Sequence, residues 1–197
     1  MIGRLTGKIA LKQPPLLVID VNGVGYECEA PMSTFYKLPA VGETITVQTH
    51  LTIREDAHLL FAFASTQEKL LFRELIKVSG VGPKIALAIL SGVTVDEFWS
   101  TVRESQVGRL TKVPGIGKKT AERLVIELRD RAGAGNSGAF VGSSAASVPA
   151  SPLQEARSAL ESLGYKPADA QRLTEAVGGD NLSAEQIIRE ALRRAVR

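Results

Sequence analysis

The sequence holds a single cysteine, Cys28, in 197 residues. It can close no internal disulfide and offers no cysteine-based zinc site. Aromatic residues make up only 5% of the chain, with one tryptophan, so a platform of rings for stacking single-stranded bases is thinly supplied. No run approaches the ~20 apolar residues a membrane span needs. The opening Met1-Ile-Gly-Arg-Leu5 lacks the charged-then-apolar layout of a signal peptide. These absences lead us to expect a cytoplasmic protein with no membrane partner. The phosphate-cradling pattern Gly-x-x-x-x-Gly-Lys-Ser/Thr is missing too, so any ATP hydrolysis must come from a partner.

Charge is present but modest, +3 overall, and its distribution says more than its sum. Residues 1–64 carry 5 basic and 6 acidic side chains, residues 65–132 carry 12 and 8, and residues 133–197 carry 7 and 7. The basic excess lies in the middle third, where a polyanion-binding surface would need it.

That middle third repeats a phrase. Val78-Ser-Gly-Val-Gly-Pro-Lys84 returns as Val113-Pro-Gly-Ile-Gly-Lys-Lys119, with Gly80 and Gly115 offset by 35 residues. Each copy follows one helical apolar run and precedes another, so the unit is helix, tight hairpin, helix, twice over. The glycines permit φ > 0 and leave no Cβ before an approaching group. The second helix of each unit starts with free N–H groups that favour an anion, and Pro83 suits its first position. One Gly-x-Gly-x-Lys alone would read as a plain turn between helices. Two copies, flanked by Lys84, Lys118 and Lys119, resemble the helix-hairpin-helix grip on a phosphate backbone. Arg123, about a turn further along the last helix, stands within reach of the same phosphate.

Residues 1–64 alternate as strands. Leu16–Val21 and Val24–Ala30 flank Asn22-Gly23, a strong hairpin signal, and Thr44–Leu51 and Leu59–Phe63 come after them. With the opening segment this makes five or six short antiparallel strands, expected to close into an OB-like barrel. Arg54-Glu55-Asp56-Ala57 falls at the turn before the last strand. The two carboxylates there read as a solvated turn on the residues alone, and they are too few for a metal site.

Ser65-Thr-Gln-Glu68 and Thr94-Val-Asp-Glu97 are capping boxes, and the first marks the switch to helix near residue 64. Trp99, amid apolar neighbours at helical spacing, reads as core. Gly133 to Pro152 holds 4 Gly, 5 Ser, 5 Ala and 2 Pro with no charged side chain, the composition of a flexible tether. Beyond it come three short helices, capped at Ser151 and Ser183 and stopped at Gly164 and Gly178-Gly179, in roughly 45 residues, a small and marginal core. The Leu163-Gly164-Tyr165 corner is similar to that of ubiquitin-associated (UBA-like) bundles, and a protein-docking module is expected there.

The fold expected is therefore multidomain α+β. It comprises an OB-like β-barrel over 1–64 and an all-α tandem helix-hairpin-helix domain over 65–132. A flexible linker over 133–151 then leads to a three-helix UBA-like bundle over 152–197. The order of parts, with Met1–Leu5, Arg54–Asp56, Glu74–Lys84, Pro114–Arg123, Leu163–Pro167 and Ile188–Leu192, resembles the RuvA family of Holliday-junction-binding subunits. The resemblance implies a four-fold homotetramer, two of which can sandwich an open four-way DNA junction. It implies DNA contacts at Gly80, Val81, Gly82 and Lys84, at Gly115, Ile116, Gly117, Lys118 and Lys119, and at Arg123. Glu55 and Asp56 become an acidic pin at the crossover. The C-terminal bundle, through Leu163, Gly164, Tyr165, Ile187, Ile188 and Leu192, would dock the hexameric RuvB ATPase, with the RuvC resolvase a further partner. No cofactor, metal or catalytic residue is implied. Two other readings stand beside this one. A helix-hairpin-helix DNA glycosylase or lyase would use Lys118 or Lys119 as nucleophile, but has no downstream Asp before Asp130 and few aromatics for a base-flipping pocket. An adaptor binding RNA or plain duplex through the barrel is opposed by the acidic balance of residues 1–64.

Overall fold

The computed structural model of the chain describes residues 1–133, 151–177 and 182–195. Apart from its two end residues, the linker expected over 133–151 lies outside the described residues, as does the Gly178-Gly179 stop. The chain divides into two compact units, the first beginning at Met1 and the second, from Ser143 on, holding the last three helices.

Five strands, β1 (Arg4–Gln13), β2 (Leu16–Val21), β3 (Val24–Glu29), β4 (Thr44–Ile53) and β5 (His58–Phe63), close into a barrel in the order β1-β2-β3-β5-β4. Asn22 and Gly23 take φ values of 55° and 88°, as a two-residue hairpin matched to the strand twist requires. An odd number of strands cannot alternate direction all the way round a closed ring. One neighbouring pair must run parallel, and it is β3 with β5, where Glu29 faces Phe61. The all-antiparallel expectation is corrected at that seam. Leu5, Ile9, Leu17, Ile19, Val47 and Cys28 fill the barrel. Burial first, and the neighbouring Glu27 carboxylate second, push the Cys28 thiol up to about 12, so it stays a protonated, inert filler.

β5 joins the barrel to the helices. With side chains alternating across a strand, Leu60 and Ala62 enter the barrel core while Phe61 and Phe63 enter the core of the helices. There the ring of Phe72, on α2 (Thr66–Leu75), lies 4.9 Å from Phe61 and 5.0 Å from Phe63 between centroids. The switch to helix at residue 64 is thus no gap in packing. All five phenylalanines among the described residues are buried, and three of them, Phe61, Phe63 and Phe72, meet at this joint.

A polar joint reinforces the apolar one. The Ser65–Glu68 capping box forms, and Glu68, only 4% exposed, accepts further bonds. Its Oε2 takes the N–H of Ala64 at 3.1 Å, that of Ser65 at 3.3 Å and the Thr34 hydroxyl at 3.2 Å. Its other oxygen lies 3.5 Å from the Lys37 ammonium. Thr34 belongs to the short helix α1 (Met32–Phe35) between β3 and β4. Glu68→Ala removes the carboxylate half of the capping box and strands the donors aimed at it, at a cost of about 2–3 kcal/mol. Urea unfolding should show that loss, and Glu68→Gln, which keeps an acceptor oxygen, should recover much of it.

Helices α3 (Pro83–Gly92), α4 (Val95–Arg103), α5 (Val107–Leu110) and α6 (Lys118–Gly133) complete the first unit. α4 starts at the Thr94–Glu97 capping box. Trp99 is partly buried against this core, edge-on to Phe98 at 5.6 Å. α5 is a single turn, shorter than the repeat led us to expect. Ser105 at φ 55° ends α4's course and leaves only Val107–Leu110 before the second hairpin.

In the second unit, α7 (Pro152–Ser162), α8 (Pro167–Val177) and α9 (Ala184–Ala195) pack through Ala156, Leu160, Ala170, Ile187 and Ala191. Ser151 caps α7 and a Ser183–Gln186 box opens α9. α7 ends with Gly164 at φ 96°. Gly164 N–H donates to Glu161 O and Tyr165 N–H to Leu160 O, the paired bonds of a glycine-terminated helix.

Candidate nucleic-acid interface

Each hairpin is built by the same three backbone bonds. Val78 N–H donates to Leu75 O at 3.0 Å and Val113 N–H to Leu110 O at 3.1 Å. Val81 N–H reaches Val78 O at 3.0 Å and Ile116 N–H reaches Val113 O at 3.1 Å, closing four-residue turns. Ala86 and Ala121 then donate to Gly82 O and Gly117 O, both at 3.0 Å, and begin α3 and α6. The third residue of each turn needs φ > 0, and Gly80 and Gly115 supply it at 88° and 86°. The repeat is therefore a repeat of geometry.

Gly82 and Gly117 have a different status. Gly82 sits at an ordinary extended φ of −83°, and a Cβ added at either glycine would meet no atom of the chain within 4 Å. Neither backbone strain nor internal packing requires glycine there. What the missing Cβ leaves is clear space outside the hairpin, in front of the helix start. Among the described residues the N–H groups of Lys84 and Ile85, and of Lys119 and Thr120, have no acceptor in the turns before them, and Gly82 provides no side-chain cap. The side chains of Lys84, Lys118 and Lys119 are exposed beside those N–H groups. The arrangement can hold an anion by backbone donors, helix dipole and ammonium charge together, without reading any base.

The two hairpins lie side by side. Arg123, exposed on α6, donates from Nη1 to the carbonyl of Ser79 in the first hairpin at 3.2 Å. The Ile85 side chain comes within 3.8 Å of where a Cβ on Gly115 would stand. Arg123 thus braces one hairpin against the other, a role its partner Ser79, 44 residues away, gives no hint of in sequence. Val81 and Ile116, expected as DNA contacts, are 4% and 5% exposed. Their side chains anchor the turns in the core and their N–H groups close them, so their side chains position the site from within.

Glu55 and Asp56 are exposed at the β4–β5 tip, which the Arg54 N–H to Ala57 O bond closes at 2.8 Å. In the second unit, Leu163 is 61% exposed at its corner, whereas Tyr165, Ile188 and Leu192 pack partly against the bundle core. Ile187, expected to meet a partner, is 2% exposed; it faces the bundle interior, as the buried stripe of a short amphipathic helix must. No group of three His, Cys, Asp or Glu side chains able to hold a metal ion occurs among the described residues.

Comparison with known proteins agrees with this geometry part by part. Residues 1–62 match the family description RuvA N terminal domain, residues 72–130 match SAM-like Helix-hairpin-helix tandem, and residues 151–196 match RuvA, C-terminal domain. The chain is 52% identical to the Holliday junction branch migration complex subunit RuvA of Pseudomonas paraeruginosa. It is 54% identical to the proteins of that name from Actinobacillus pleuropneumoniae and Thioalkalivibrio sulfidiphilus. Each alignment covers 98% of both chains. Barrel, paired hairpins and terminal bundle, in that order and over nearly the whole length, make this chain a member of the RuvA family.

Proposed function

We propose that the chain is a noncatalytic, structure-specific DNA-binding subunit. It holds a four-way junction open and square-planar and brings the RuvB ATPase to it for branch migration in recombination and repair. The observation that carries this reading is the pair of braced hairpins, each with unpaired N–H groups, clear space before a helix start and exposed lysines. Two such grips per chain suit the two strands of one duplex arm. Four copies around a four-fold axis would serve four arms, and a second tetramer can cover the opposite face. Glu55 and Asp56 then stand near the axis, where their charge repels the phosphates at the crossover, parts the strands and limits spontaneous sliding. The bundle over 152–197, carried on the linker over 133–151, docks the motor with its exposed Leu163 corner, and RuvC joins the same assembly.

The test is a competition gel shift between a synthetic four-way junction and linear duplex of the same sequence, in Mg²⁺. Strong junction preference is expected. Equal binding to both would return the protein to a generic duplex adaptor. Changing Glu55 and Asp56 together to Asn should leave binding intact and alter junction opening and branch migration. Unchanged opening and migration would remove the pin from the mechanism.

A further inference from the structure

The barrel tip and the first hairpin meet across a groove of about 300 Å³. Glu29, Arg54 and Phe61 line it from the barrel; Gly82, Lys84 and Ile85 line it from the hairpin. The groove therefore runs between the two features that the proposed function uses separately, the phosphate grip and the acidic tip. Two cations line it, Arg54 from the barrel and Lys84 from the hairpin. Neither side chain, Arg54 nor Lys84, has a hydrogen bond or ion pair among the described residues. The backbone of Arg54 is held by its bond to Ala57, so the root of that side chain is set by the tip itself.

Apart from these cations and Glu29 the lining is apolar, with Leu59 and Phe61 from the barrel and Pro83 and Ile85 from the hairpin, and nothing of the chain fills the space before Gly82. An apolar wall between two unpaired cations suits a sugar–phosphate backbone, whose sugar is largely apolar on one face and whose phosphate carries the charge. Arg54 is also the only cation of the tip, directly before two carboxylates. A strand drawn in at Arg54 must next pass Glu55 and Asp56.

We infer that Arg54 is a positioning residue: with Lys84 across the groove it clamps one backbone phosphate and so delivers the strand from the first hairpin to the Glu55–Asp56 tip. The inference rests on the junction reading and adds the path between its two parts. Glu29, the only carboxylate in the lining, opposes the phosphate and weakens the clamp. It also borders, with Lys84, a neighbouring hollow of about 380 Å³ beside Met32 and Ser91 that Arg54 does not line.

The test uses the full chain, a four-way junction with 2-aminopurine at the crossover, and variants Arg54→Gln, Arg54→Lys and Glu29→Gln. For Arg54→Gln the slope of log affinity against log salt should shrink by about one, with roughly tenfold weaker binding near 0.1 M salt. The crossover fluorescence should fall towards that of free junction even when protein saturates the DNA. Arg54→Lys should restore the slope, and Glu29→Gln should bind a few-fold tighter, all with unchanged thermal midpoints. A purely structural role for Arg54 would shift the midpoint and leave the slope alone. If the unaltered protein prefers the junction but Arg54→Gln matches it in slope and fluorescence, the clamp is overturned and the junction reading stands. If the unaltered protein shows no preference for the junction, that reading fails and the strand path falls with it.

Discussion

Replacing Phe72 by alanine should destabilise the first unit by about 3–5 kcal/mol, the range for deleting a buried aromatic side chain and leaving its cavity. The site cannot collapse easily, because the ring is held on three sides. Phe61 and Phe63 come from the barrel strand β5, and His50 from β4 lies edge-on at 5.6 Å. Removing the ring takes away aromatic contacts beyond the area lost and loosens the barrel from the helices at once. Trp99, the only tryptophan, sits in α4 of the same unit and packs on the same core. Its fluorescence during urea unfolding should therefore report the loss although residue 72 is remote in sequence. A midpoint within experimental error of the parent would show that barrel and hairpins do not share a core.

Changing Lys84, Lys118 and Lys119 together to Ala should have the largest effect on binding. Each phosphate neutralised contributes about 0.9 to the slope of log affinity against log salt. Three lost contacts should lower that slope by roughly 2.5–3, and binding near 0.1 M salt by on the order of a thousandfold. All three side chains are exposed, so the fold should survive and the thermal midpoint should stay near that of the parent. The loss should be similar for every DNA sequence, since neither backbone N–H groups nor lysines at these positions read bases. An unchanged salt slope would move the phosphates away from the hairpins.

The features legible in the sequence were those whose physics is short-range. The two capping boxes, the Asn22-Gly23 turn and the paired glycines act over three or four residues, so their chemistry appears as adjacent letters. The repeat at 35 residues marks two hairpins by spacing alone. Where expectation and structure differ, the cause lies in neighbours distant along the chain. Ile187 fits a helical stripe in sequence, but which side of α9 meets α7 and α8 is settled by packing. Val81 and Ile116 lie within the hairpin phrase, yet their side chains are drawn into a core assembled from the whole unit.

By itself, then, the sequence determined the order of the parts, the two glycine hairpins with their exposed lysines and the acidic tip, because turn conformation, helix capping and charge are local properties. Tertiary structure alone decided that β3 and β5 run parallel, since closing a ring of five strands is a property of the whole sheet. It alone set Arg123 on Ser79, brought Phe72 between two barrel phenylalanines, and placed Arg54 and Lys84 in the lining of one groove. Those contacts join segments far apart in the chain, and only burial of the shared core brings them within reach.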